Sequence, residues 1–143
     1  MNAEQLAVPI LCIRGDTIFT CRTINELTTT TASALRGGLF TGLRLIDSNG
    51  LEATIDSVKK LGGVGPFWGF NIFLNQRIRV ALEIEMTGQT LTTEQVRQIV
   101  MRDFRNWHGW ASREDFGQLK DAVKNALTTA EILRIVSEPT GQP

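Results

Sequence analysis

Apolar and polar residues change their period along this chain, and the clearest change lies between the two halves. From Gln76 to Met86 the run QRIRVALEIEM alternates strictly, with Ile78, Val80, Leu82, Ile84 and Met86 on one side and Arg77, Arg79, Glu83 and Glu85 on the other. A period of two predicts a half-buried strand. The preceding FNIFL predicts a separate strand turning at Asn75-Gln76, because a single run from Phe70 to Met86 exceeds the usual strand length.

Two hairpins precede it. VPILCIRGDTIFTCR is a pair of β-rich runs around Gly15-Asp16, and glycine at the first central position suits a two-residue type II′ turn that sets Ile13 opposite Ile18 and Cys12 opposite Phe19. Both faces of that hairpin are apolar, so it is expected at the sheet centre or covered on both sides. In GLRLIDSNGLEATIDSV, a three-residue Ser48-Asn49-Gly50 loop places Leu43, Leu45, Ala53 and Ile55 on one face. Arg44, Glu52, Thr54 and Asp56 then fall mostly on the wet side.

Helical periods follow each hairpin set. TINELTTTTASALRGG predicts a helix opened by a Thr23 and Glu26 capping box, striped by Ile24, Leu27, Ala34 and Leu35, and closed by Gly37-Gly38. Its β-branched run Thr28 to Thr31 is a poor helix former. From Leu91 onward Thr92 and Gln95 open a helix striped by Val96, Ile99, Val100, Phe104 and Trp107 that ends near Gly109. Ser112 and Asp115 open the next, with Phe116, Leu119, Ala122, Val123 and Ala126. Thr128 and Glu131 open the last, with Ile132, Leu133, Ile135 and Val136.

Strand hairpins followed by helices, without βαβ alternation, predict an α+β fold. The expected architecture is an antiparallel sheet of about five to six strands built from hairpins, with one helix after the first hairpin and three C-terminal helices packed mainly on one face. The organisation expected is one domain over 1–143, strand-rich over 7–87 and helical over 91–137, with a frayed tail at 138–143. The 143 residues are 42% hydrophobic and 21% charged, enough to bury roughly two thirds of the unfolded surface without staples.

Fifteen basic residues balance fifteen acidic ones. No global field then favours nucleic acid, although Arg97, Arg102 and Arg105 fall toward one side of their helix. No apolar run is long enough to cross a bilayer, and Glu4 stands where a signal peptide carries basic residues, so a cytoplasmic location without membrane contact is expected. Cys12 and Cys21 lack the spaced partners of a zinc site and are expected reduced and buried, as diagonal neighbours on one face. One histidine excludes a multi-histidine metal site, and neither metal nor cofactor is expected.

The candidate chemistry is sparse. KKLGGVGPFWGF, residues 59 to 70, has glycines around Phe67, Trp68 and Phe70, but Pro66-Phe67-Trp68 stand where a phosphate-binding loop needs Lys and a hydroxyl. The loop either closes the core or presents Phe67 and Trp68 to a partner. FRNWHGWASRED holds the single histidine, His108. A protonated imidazole at a helix C-terminus with a left-handed Gly109 cap explains that pair without catalysis, and His108 with Trp110 is otherwise a binding or acid-base candidate. Arg77 and Arg79, opposite in charge to Glu83 and Glu85 along one strand face, are candidates for orienting a partner. Glu83 and Glu85 stand about 7 Å apart by pleat repeat alone, which makes them weak catalytic groups. Arg14-Gly15-Asp16 is explained by its turn.

This capped plan without a catalytic constellation resembles small bacterial proteins that act by binding another protein, toxin-neutralising immunity proteins among them. The function expected is therefore a non-enzymatic protein-interaction module using Phe67, Trp68, His108, Trp110, Arg77 and Arg79. The alternative is a small-molecule binder or small enzyme with a pocket between sheet and helices involving His108.

Overall fold

The computed structural model describes residues 2–31, 34–35, 37–63 and 77–137, and the side chain of His108 lies outside that description. Phe67, Trp68 and the FNIFL strand expected before Gln76 lie outside the described residues.

The Gly15-Asp16 turn forms as its sequence dictates, with Gly15 at φ 60°. It joins β1 (Ile10–Arg14) to β2 (Thr17–Cys21) in the expected register, Cys12 opposite Phe19 and Ile13 opposite Ile18. β4 (Arg44–Ile46) pairs on the other side of β1 and also with β5 (Leu51–Gly63), where Leu45 meets Ala53 as the alternation requires. β5 and β6 (Arg77–Thr90) form a long hairpin with three register shifts along it. The burial of β6 alternates from Arg77 through Glu85, so Ile78, Val80, Leu82 and Ile84 face inward.

The long helix expected over Thr23 to Gly37 does not form. α1 (Ile24–Thr28) stops after five residues, and Thr29–Thr31 becomes β3, paired antiparallel to Arg77–Arg79. β-Branching explains the outcome: threonines lose side-chain freedom in a helix but fit a pleated edge, and a free strand lies within reach. The Thr23 hydroxyl still accepts from Glu26 N at 3.1 Å, whereas the Glu26 carboxylate turns to Arg22 N instead of closing the box on Thr23.

Among the described residues the result is a six-stranded antiparallel curled sheet in the order β2-β1-β4-β5-β6-β3. Its two faces carry two cores. Ile10, Cys12, Leu45, Ala53, Val80, Leu82 and Ile84 pack on one face with Ala3, Leu6, Leu27 and Phe40 from the connecting segments. On the other face Leu11, Ile13 and Ile46 meet the C-terminal helices α2 (Thr93–Asn106), α4 (Phe116–Asn125) and α5 (Thr129–Ser137). That layer covers the β1 and β4 end, while Arg77, Arg79, Glu83 and Glu85 stay exposed farther along. Cys12 and Cys21 are free thiols buried in the first core. The hydrogen bond between them, reinforced by burial, holds the Cys12 thiol far above the usual thiol range.

The helix starts at Thr92 and Thr128 follow the sequence. Thr92 and Gln95 make the full capping box, and Thr128 Oγ1 accepts from Glu131 N at 3.1 Å. The start expected at Ser112 moves to Phe116, because Ser112 Oγ donates to Gly109 O and the Asp115 carboxylate is held by Arg113. Ala122, expected on the inner stripe of this helix, is exposed. Arg97 is not free for a phosphate backbone: its guanidinium donates to Val123 O and Ala126 O at the end of α4 and pairs with Glu94. No helix among the described residues is long and apolar enough to cross a membrane.

The turn between β4 and β5 gathers three stretches of chain. Asp47, 1% exposed, accepts from Asn49 N (2.9 Å) and Leu51 N (3.0 Å) through Oδ1 and from Ala7 N (3.2 Å) through Oδ2. Ser48 Oγ donates to Pro9 O, and Gly50 O accepts from Leu91 N ahead of α2. Gly50 sits at φ 83°, where a Cβ would stand 2.4 Å from Leu91 O, so only glycine fits.

Candidate functional site

The last turn of α2 ends against the β1–β2 turn, and an open cleft of about 630 Å³ lies there, lined by Asp16, Thr17, Ile18, Asp103, Asn106 and Trp107. Asp103 forms its floor. It is 8% exposed, and its Oδ2 accepts from Trp110 Nε1 at 2.6 Å, the one hydrogen bond to its carboxylate among the described residues. Burial pushes the Asp103 carboxyl above the ordinary carboxylate range, with the indole hydrogen bond opposing the shift.

Trp107 forms the rim. It is the C-cap of α2, extended at φ −110° and ψ 113°, and its N–H closes on Asp103 O at 2.9 Å. Leaving the helical path swings the indole outward, so it is 58% exposed and not part of the inner stripe its spacing suggests. Gly109 does not cap α2 in a left-handed conformation. It lies inside α3 (His108–Ala111), and a Cβ there would stand 2.5 to 2.7 Å from three atoms of the Trp107 ring. Glycine is needed because the indole lies directly over its backbone.

An edge-to-face series holds the rim in place. Trp107 meets Trp110 with centroids 5.7 Å apart, Trp110 meets Phe104 at 4.9 Å, and Phe104 meets Phe116 at 5.6 Å. Arg113 lies over the Trp110 ring at 5.4 Å while its guanidinium pairs with Asp115. The buried end of this series belongs to the helical core, so the exposed end is positioned without using its own outer surface. A second cleft of about 90 Å³ adjoins it, sharing Asp16, Ile18 and Asp103, with Arg44 and Arg102 in its wall.

The structure thus joins some of the residues singled out in the sequence and separates others. Trp110 is a half-buried support whose indole N–H orients Asp103. His108 opens α3 beside Trp107 in the chain. Arg77 and Arg79 lie on the outer side of β6, four strand spacings from β2, roughly 19 Å at about 4.8 Å per spacing. They belong to a different surface. Asp103 and Trp107 are the residues that sequence reasoning did not bring together; the available signal was Asp103 and Trp110 seven apart across a helix end, with a glycine between two tryptophans.

The sign of the Asp103 shift gives a test. A carboxyl whose folded value is raised favours folding below the ordinary carboxylate range, and that contribution is lost as pH rises through the raised value. At pH 7 its buried charge opposes folding. Asp103→Asn keeps an acceptor for Trp110 and removes the charge, so it should raise the denaturant midpoint at pH 7, with the gain shrinking as pH falls through the carboxylate range. A lower midpoint at pH 7 would show that the charge supports the fold.

Comparison of the chain with protein-family models, with curated proteins and with solved structures found no match.

Proposed function

We propose that this chain is a non-enzymatic, cytoplasmic binding module that recognises a partner protein through the cleft between the β1–β2 turn and α2. The observation that carries the reading is the exposed Trp107 indole, braced from behind by Trp110 and seated on Gly109 at the rim of that cleft. Tryptophan is among the residues that most often dominate binding energy when a partner covers them, and a ring already held in place loses little freedom on association. Phe67 and Trp68 enter the proposal as a second contact, and the described cleft stands without them.

Affinity capture from native lysate tests it, with Leu127→Ala as control, since Leu127 is 85% exposed elsewhere on the helical layer. Trp107→Ala should keep stability within about 1 kcal/mol of wild type, as for other exposed positions, yet lose the specifically captured proteins that Leu127→Ala retains. The same captured set for all three proteins would overturn the reading.

The buried Asp103 carboxylate supports a second reading, a small molecule in the same cleft, whose volume suits one. Thermal stabilisation by a small-molecule ligand, lost in Asp103→Asn, is its expected sign.

A further inference from the structure

We infer that the group this cleft accepts is a cation, a guanidinium or alkylammonium that passes between Trp107 and the β1–β2 turn to reach Asp103. The inference rests on the cleft being the binding site.

Asp103 is the first ground. An ionised carboxylate offers about four acceptor positions, and Asp103 uses one of them, for Trp110 Nε1, while being nine-tenths buried in the cleft floor. Burying a charge with so few partners is costly, and a donor-rich cation is the ligand that offsets the cost.

Among the described residues the protein's own cations do not fill this role. Arg44 donates to Glu52, with Nε 3.0 Å from Oε2, and Arg113 pairs with Asp115. Arg102 lines only the smaller neighbouring cleft and forms no ion pair with Asp103.

The walls agree with the floor. Asp16, exposed on the β1–β2 turn, adds a second carboxylate to the same cleft. Trp107 presents an indole, the ring that attracts cations best, and Ile18 gives an apolar side for the methylene stem of a basic side chain. An anion would meet two carboxylates there. A neutral apolar group would cover Asp103 without supplying a donor.

The test is a titration of the full chain with acetyl-Gly-Arg-Gly-amide, following the indole N–H signals of Trp107 and Trp110 by NMR. The neutral control is the same peptide with citrulline, and butylguanidinium is the free-cation arm. Saturable shifts of both indole signals are expected, with affinity falling about tenfold or more on the change to citrulline or in Asp103→Asn, the loss expected for a charge-assisted contact. Saturation by the arginine peptide well before butylguanidinium assigns the cation to a peptide, and equal affinities assign it to a free amine or guanidine; either supports a cation site. Equal binding of the arginine and citrulline peptides overturns the inference, as does the absence of shifts up to about 10 mM, beyond the range of a weak single-site contact. If those failures occur while Trp107→Ala still loses its captured proteins, the binding reading stands and the cation is excluded.

Discussion

Asp47→Ala should destabilise the protein by about 3–4 kcal/mol, the largest loss expected from any change to a polar side chain here. Three backbone N–H groups, from Ala7, Asn49 and Leu51, end on this one carboxylate. Alanine offers none of them an acceptor, and a hydrogen bond to a charged group contributes about 1.5–3 kcal/mol when its partner is left buried. Asn49 is exposed, so water replaces part of its loss, which keeps the total below the sum of three. Asp47→Asn retains an acceptor and should lose less than half as much. Urea midpoints for the three proteins measure this, and an alanine variant within about 1 kcal/mol of wild type would show that the turn holds without its carboxylate.

The second large effect concerns two adjacent residues that belong to different cores. Leu45 and Ile46 are both fully buried, Leu45 with the connecting segments on one face of the sheet and Ile46 with the helices on the other. Truncating either to alanine should cost about 2–4 kcal/mol, the usual range for emptying a buried aliphatic site. Because β4 is three residues long and serves both layers, each variant should unfold in one transition, seen together by backbone circular dichroism and tryptophan fluorescence. Trp107 and Trp110 sit at the helical layer and report on it directly once Trp68, the third tryptophan, is replaced by Phe in both variants. Fluorescence that moves ahead of the backbone signal in Ile46→Ala, and not in Leu45→Ala, would mean that the helices separate from the sheet as an independent unit.

What the sequence discloses depends on how local the deciding contact is. The β1–β2 register is set by a two-residue turn, β6 by its own alternation, and the starts of α2 and α5 by residues three apart, so each can be read within a few positions. Thr29–Thr31 reads as a weak helix until β6 offers it a partner 46 to 50 residues away in the chain, and long-range pairing then overrides local preference. Nothing near Asp47 in the chain says that Ala7, forty residues away, will donate to it. Gly109 reads as a helix cap, yet its lack of a side chain serves a ring that lies over it. The candidate site follows the same rule: Trp110 and His108 attract attention by type, while Asp103 gains its character from burial and Trp107 from the helix ending three residues before Gly109.

β3 has a consequence for how copies of the protein meet. A fourteen-residue strand with a bare flank is a template on which a second molecule can grow the sheet. Here Thr29–Thr31 occupies Arg77–Arg79, and Asn2 bridges to Glu83, leaving Val80, Ala81 and Leu82 between them. Farther on, β6 reaches Gly88 at φ 82°, where the ladder is kinked by a register shift before Thr90 pairs with Leu51. Neither stretch gives the unbroken run of about five to six residues of an ordinary paired strand, so three threonines and one asparagine act as gatekeepers against edge-to-edge aggregation.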